Sequence, residues 1–530
     1  MGIKPPVTRY IGGYQAPGLI YPGSDGPKEK CGVLGLWIDP RDEGLFRNML
    51  KQNGMTDYGD NFVAATGALN LRNINHRGQE SAGIVTQDGE FHRHVGMGMA
   101  HRVFTPNIIG SLPGNMLVGH VRYSTHGESS ITNAQPLENV LDDDRIYTAH
   151  NGSLTNYTNL SEIIRQSGWH LNTTVDSEVM PLLINMQDRD LPLFDRIALA
   201  MGYVEGSNSS VFMVKDAIYC YADARKYRPL VIAKIGNGSY CIASEDGCIT
   251  RTFRGITADI EIEEVKPGQL IEIKKGKKRA KVVDKSINGL AHCIVELFYN
   301  VRPDGTAYGI PVSPFRILVG RLLSKVAPVK ADYVVPVLDS GLLVAEGYSM
   351  ESRIPLVTTM IRDHTYSTRS FMQPSQELRE RIAQNKQIPL PGLITTKIPA
   401  DLKDTFKSNG PPIIVQADDS MIRSTTQMAL NKGYRALGVK EVHLRIALPP
   451  VTQTCNLGTD IPSLDQLIAA DKNHAAIIEQ LGPPTKSLAF LPPYEVFRAL
   501  DIFAPGTSKD FCYMCIPELG AARVMGSRKE

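Results

Sequence analysis

The chain has 530 residues, 57 of them Lys or Arg and 55 Asp or Glu, for a formal net charge of +2 at pH 7. So even a balance makes no electrostatic case for a nucleic-acid or membrane-surface partner. Hydrophobic residues are 42% and charged residues 21%, a globular composition long enough for two domains, and no run approaches the ~18 apolar residues of a spanning helix.

Residues 1–30 contain Pro5, Pro6, Pro17, Pro22 and Pro27 among several glycines. They read neither as a compact element nor as the apolar core of a secretory signal, so a cytoplasmic chain is expected. Eight cysteines are sparse for a disulfide framework. Cys220, Cys241 and Cys248 lie in or near apolar, strand-like runs and read as small buried hydrophobes. Cys31 stands alone at the start of the first patterned segment, whereas Cys293, Cys455, Cys512 and Cys515 fall in the second half.

Between Cys31 and about residue 274, strands are predicted over 32–37, 115–122, 210–214, 230–234 and 260–265, with helices over 156–167 and 177–186. Asp176 is placed to cap the second helix. The basic run 274–279 reads as an exposed hairpin turn close to a domain boundary. From about residue 290 the pattern becomes α/β. Near-continuous apolar strands at 332–338 and 411–415 each lead into a polar turn and a helix, as in a parallel sheet covered on both faces. Ligands of such folds bind beyond the carboxyl ends of the strands, where Asp339-Ser340-Gly341 and Asp418-Asp419-Ser420 lie. Residues 387–409 read as an irregular excursion. The expected division is 1–30, 31–285, 286–480 and 481–530.

Three segments follow Cys31-Gly32-Val33-Leu34-Gly35: Gly119-His120-Val121-Arg122-Tyr123, His150-Asn151-Gly152 and Asp176-Ser177-Glu178. A cysteine freed as the first residue carries its own base, because an α-amino group with a pKa near ~8 can take the thiol proton. Hydrolysis of glutamine then needs two donors for the developing oxyanion, and the Asn151 side chain and the Gly152 N–H suit that role. The α-carboxylate calls for a planar bidentate cation, which Arg122 offers, and the α-ammonium for a carboxylate, which Asp176 offers.

These segments, with Asn75-His76-Arg77-Gly78-Gln79-Glu80-Ser81-Ala82-Gly83 and Thr174-Val175-Asp176-Ser177-Glu178, resemble the class II, N-terminal-nucleophile glutamine amidotransferases. Within them the similarity is to the amidophosphoribosyltransferases and runs from Cys31 to about Cys515. The resemblance implies a propeptide, 1–30, removed to expose Cys31, and an αββα sandwich for the first half followed by a type I phosphoribosyltransferase domain. It assigns Cys31 as nucleophile, Asn151 and Gly152 as oxyanion donors, and Arg122 and Asp176 as glutamine anchors.

In the second half, Asp418-Asp419-Ser420-Met421-Ile422-Arg423-Ser424-Thr425-Thr426 places two acids at a strand end before a hydroxyl-rich helix start, chemistry suited to Mg²⁺, ribose hydroxyls and a phosphate. It is similar to the phosphoribosyl pyrophosphate (PRPP) loop of type I phosphoribosyltransferases. That similarity makes Ser420, Arg423, Ser424, Thr425 and Thr426 PRPP-binding residues. It makes Ser340, Asp418 and Asp419 the Mg²⁺ side, and 361–374, with Arg362 and Arg369, a loop that closes over PRPP. The chain departs from the family where Ser424 replaces a glycine. Residues 223–230, Asp-Ala-Arg-Lys-Tyr-Arg-Pro-Leu, lack a usual proline and glycine, and Gly206-Ser207-Asn208-Ser209 replaces Gly-Ala-Tyr-Ser.

Cys512-Tyr513-Met514-Cys515 by itself fits zinc, a cluster, a redox pair or no function. With Cys293 and Cys455 it resembles the ligand set of the [4Fe-4S]-bearing subgroup, although a Cys₄ zinc site would use the same residues. The expected activity is therefore glutamine-dependent formation of 5-phosphoribosylamine from PRPP, the opening step of purine synthesis. The expected enzyme is a homotetramer with purine nucleotides as candidate inhibitors. The alternatives are a class II amidotransferase with another acceptor and a non-catalytic PRPP- or nucleotide-binding paralogue.

Overall fold

The computed structural model describes residues 31–123, 129–255, 259–283, 289–362, 387–389, 411–459, 461 and 463–526. The segment 1–30, Arg369 and most of the 361–374 loop and of the 387–409 excursion lie outside the described residues.

Two antiparallel sheets build the first half. In one, the strand Gly32–Trp37 is central, flanked by Ser239–Ala243 on one side and Met116–Arg122 on the other. In the second, Asp144–Leu154 lies between Leu137–Leu141 and Gly206–Val214. Alternation along each strand sends successive side chains to opposite faces, and the cores follow. Val33 joins Val118, Tyr147, Val211 and Ile271 between the sheets, whereas Leu34 and Leu36 pack under the helices Glu43–Gln52 and Phe62–Asn73. The helices Tyr157–Gln166, Val179–Asn185 and Leu193–Met201 cover the outer face of the second sheet. The result is the expected αββα sandwich.

The basic run is a hairpin, as expected, but it lies inside this sandwich. Gln269–Lys274 pairs with Lys277–Val282 across Lys275-Gly276, both at positive φ. The helix expected over 177–186 also differs. It opens as a 3₁₀ turn, Asp176–Glu178, without a side-chain cap. The Asp176 Oδ2 instead accepts from the Leu154 N–H at 2.8 Å, because the carboxylate points back to the neighbouring strand rather than along the helix.

In the second half, the strands Tyr333–Pro336, Ile413–Asp418, Glu441–Ile446 and Thr485–Phe490 form one parallel sheet in that order. The sheet thus extends beyond residue 480. Tyr333, Val335 and Ile414 pack on one face with Leu430 and Tyr434, and Val334 and Val415 on the other with Val319, Val344 and Leu500. Burial on both faces is why these strands read as unbroken apolar runs rather than as alternation.

Candidate active sites

The register pairs Gly32 with Val121, so Cys31 lies beside the end of the strand that carries Arg122. The Cys31 thiol is buried and its Sγ donates to the Tyr123 carbonyl at 3.8 Å. Arg122 is buried and ion-paired with Glu80 at 2.5 Å. The second sheet supplies the oxyanion candidates. His120 Nε2 contacts the His150 carbonyl oxygen at 3.0 Å, which ties the Arg122 strand to the strand holding Asn151 and Gly152. Burial pushes His120 down to about 3, so it spans the sheets as a neutral ring.

Asn151 is fully buried, and neither its Oδ1 nor its Nδ2 has a hydrogen-bond partner among the described residues. Buried amides are nearly always paired, and an exception of this kind marks a group held for something else. Gly152 follows at φ +154, where a Cβ would lie 2.0 Å from the Ser207 carbonyl oxygen. Only glycine fits there, and its N–H is left unshielded by any side chain of its own. Around them, the His150 N–H donates to Gln135 Oε1 at 2.7 Å and His150 Nδ1 lies 3.0 Å from Ser177 Oγ. Asp176 grips Leu154, two residues past Gly152. Asn151, Gly152 and Asp176 therefore belong to one hydrogen-bonded unit, and Cys31 and Arg122 to the facing strand pair.

The sequence reading assigned no role to the charges beneath Cys31. Arg77 Nε donates to the Cys31 carbonyl at 3.0 Å, and its other nitrogens reach Glu245 at 2.6 Å and Glu296 at 3.1 Å. Arg228 donates to Glu296 at 2.8 Å. All four side chains are buried. Burial opposes ionisation of Glu296, but Arg77 and Arg228 outweigh it and hold the carboxyl below its usual range. For Arg77 and Arg228 the signal available in the sequence was their place inside the segments 75–83 and 223–230, and for Glu296 its place three residues after Cys293, whereas Glu245 carried none.

In the parallel-sheet half, Gly341 allows the turn after Pro336 to press on the neighbouring strand, where a Cβ would meet the Ala417 carbonyl oxygen at 2.5 Å. That approach brings Ser340 Oγ to 3.4 Å from Asp418 Oδ1. Burial first, and Asp419 next to it, raise the Asp418 carboxyl well above its usual range. Ser420 donates to Asp419 at 2.7 Å and Arg423 to Gln466 at 3.1 Å. Ser424 has φ +63, the left-handed backbone that the family's glycine supplies freely. Its buried Oγ has no hydrogen-bond partner among the described residues, and it precedes the twelve-residue helix Thr425–Ala436, whose first turn holds Thr425 and Thr426. Arg362 ends the short strand Met360–Arg362.

The late cysteines converge. Cys293 and Cys512 are direct partners in a two-stranded parallel sheet, and the Cys515 carbonyl accepts from the Thr452 N–H at 3.1 Å, beside Cys455. Cys455 and Cys515 lie in one core with Cys293 and Cys512 packed against it. Burial, and then Cys293, push the Cys512 thiol up to about 12. Among the described residues no group of three or more His, Cys, Asp or Glu is arranged to hold a metal ion, and no helix is long and apolar enough to cross a membrane.

Residues 120–251 match the family model described as glutamine amidotransferase domain. An amidotransferase sandwich joined to a phosphoribosyltransferase sheet is the class of protein that fold and site define. Amidophosphoribosyltransferase 1 of Arabidopsis thaliana, named as chloroplastic, is 34% identical over 92% of this chain and 78% of its own length. The amidophosphoribosyltransferase of Methanothermobacter thermautotrophicus is 33% identical over 88% of this chain and 90% of that protein. The solved structure of the glutamine PRPP amidotransferase from B. subtilis, complexed with ADP and GMP, superposes with a TM-score of 0.75 at 28% identity, covering 92% of this chain and 96% of that one. The chain belongs to the amidophosphoribosyltransferase family, the glutamine-hydrolysing pentosyltransferases that act on PRPP in purine synthesis.

Proposed function

We propose that this chain hydrolyses glutamine at Cys31 and delivers the ammonia internally to PRPP. The Cys31 thiolate, its proton taken by the α-amino group once 1–30 is removed, attacks the amide carbon. The oxyanion that forms is met by the Asn151 side chain and the Gly152 N–H. Ammonia leaves, and water then hydrolyses the thioester to glutamate. Arg122 and Asp176 hold the carboxylate and ammonium of glutamine. At the second site ammonia attacks the ribosyl C1 and expels pyrophosphate, giving 5-phosphoribosylamine. Ser420, Arg423, Ser424, Thr425 and Thr426 bind the phosphate there, and Arg362 and Arg369 belong to a loop that excludes water.

The observation that carries this reading is the buried Asn151 amide, without a partner among the described residues, directly before a glycine that admits no side chain. Asp418 and Asp419, with Ser340, fit Mg²⁺, since a buried carboxyl beside a second one, both next to a hydroxyl, is a donor set that a divalent cation favours. Mg²⁺ would neutralise the pyrophosphate leaving group. Cys293, Cys455, Cys512 and Cys515 fit a soft metal or a [4Fe-4S] cluster in donor type, because four free thiols, two buried and two half-buried, with no histidine among them are the donors such a centre uses. Its contribution would be structural or oxygen-sensing, since the transfer needs no redox step. Eight free thiols suit a reducing, cytoplasmic compartment. Homotetrameric assembly and inhibition by purine nucleotides are carried over from the family.

A second reading, transfer to another phosphosugar, draws its support from Ser424 at the family's glycine position. Intact-mass analysis of the mature chain, with product identification from glutamine plus PRPP, tests both. Cleavage before Cys31 with pyrophosphate release is expected. Glutamate release indifferent to PRPP would favour another acceptor.

A further inference from the structure

Cys31 directly precedes the strand Gly32–Trp37, and beyond the thiol contact to Tyr123 its main chain is fixed from below by Arg77, whose Nε donates to the Cys31 carbonyl at 3.0 Å. Arg77 is buried, so its orientation depends on what neutralises it. One partner, Glu245, belongs to the amidotransferase sandwich. The other, Glu296, belongs to the segment that opens the second half, and it accepts two hydrogen bonds from Arg77, both at 3.1 Å. Glu296 is itself held by Arg228 at 2.8 Å. Arg228 is anchored in turn on the Leu457 carbonyl at 3.0 Å and Thr459 Oγ1 at 3.1 Å. That anchor loop touches the late cysteines, with Thr459 Oγ1 3.5 Å from Cys293 Sγ and the Leu457 N–H 3.4 Å from Cys455 Sγ.

Two arginines and two glutamates make the set electrically balanced, and every member is buried. In a low-dielectric interior such a set has one good arrangement, because moving one charge leaves another unpaired. We infer that Glu296 is a positioning residue for the nucleophile: the second half completes the glutaminase by locking Arg77, through Arg228 and the 457–459 loop, against the Cys31 main chain. This rests on Cys31 being the nucleophile. Glu296 does not touch substrate; it fixes where the thiol stands relative to the oxyanion donors.

The test uses the full chain. Glu296→Gln keeps the shape and removes the charge. Expected is a fall in kcat for glutamine hydrolysis of about tenfold to a hundredfold with KM for glutamine nearly unchanged, the result of a misplaced reacting atom. Alkylation of Cys31 by iodoacetamide, followed by mass spectrometry, slows in parallel. Phosphoribosylamine formation driven by added ammonia stays within about twofold, because the second site does not use this residue. Should Glu296→Gln not fold, Thr459→Val decides, with a smaller fall of the same pattern expected. Wild-type glutamine kcat and alkylation rate in whichever variant folds, or equal loss of the glutamine- and ammonia-driven activities, would overturn the inference. Alkylation of wild-type Cys31 that leaves glutamine hydrolysis intact would instead overturn the nucleophile assignment, a separate failure.

Discussion

Asn151 shows how a single residue exposes a site. Its amide is sealed from solvent with both polar atoms unpaired among the described residues, which costs on the order of 1–3 kcal/mol unless a ligand supplies the partner. Asn151→Ala should lower kcat for glutamine hydrolysis about 10²–10³-fold with little change in KM, since the lost hydrogen bond forms in the transition state; steady-state glutamate release measures it. Ser424 carries an opposite tension. A non-glycine residue at φ +63 costs about 1–2 kcal/mol, yet its buried hydroxyl stands without a partner among the described residues, ahead of a helix N-terminus. Ser424→Gly is expected to melt no lower than the wild type while its KM for PRPP rises several-fold. Unchanged KM in a calorimetrically intact variant would remove Ser424 from the phosphate site. Lys226, also at a family glycine position, keeps φ +50 and is ion-paired to Glu264, so both departures retain the backbone that glycine would adopt freely.

At the scale of elements, the strand ends and the joint between the halves decide the chemistry. The 223–230 turn is part of that joint, for the Arg225 and Tyr227 carbonyls accept from the Ala291 and Cys293 N–H groups at 2.8 and 3.1 Å. Glu245 serves the same region from the opening of the helix Asp246–Thr252, meeting both His76 and Arg77. Burial opposes its charge, but His76 and Arg77 prevail and hold the carboxyl below its usual range. A depressed carboxyl contributes stability that is present above its unfolded pKa and is lost as the pH falls. The stability gap between wild type and Glu245→Gln should therefore be widest above about pH 5 and narrow progressively below it, as urea melts across that range would record. The sequence patterns located these elements well, with the strand Gly32–Trp37 matching residue for residue. They misread Asp176, because a capping residue and a carboxylate turned toward the next strand look alike in one dimension.

Across the whole molecule, the sandwich and the parallel sheet meet over buried charge and over the four late cysteines. Cys293 and Cys512 are brought opposite each other although they are 219 residues apart in the chain. If they hold a metal centre with Cys455 and Cys515, protein purified without oxygen should carry iron and absorb broadly near ~400 nm. Cys512→Ser should lose both the metal and thermal stability, because structural metal binding contributes directly to folding. Zinc in place of iron, measured by elemental analysis, would replace the cluster by a Cys₄ zinc site, and neither metal would leave four structural thiols.

Local order along the chain was enough to mark the motif segments that carry the family resemblance and the two-part architecture, because each rests on residues that are neighbours or that repeat with a strand's or helix's period. Tertiary structure alone decided that Glu80 faces Arg122, that Asp176 braces the Gly152 strand, and that Arg77, Glu245, Glu296 and Arg228 join under Cys31. Those partners come from segments up to 219 residues apart, as Arg77 and Glu296 are. Buried charges acquire partners only when the sheets close over them, so no spacing in the chain announces the pairing.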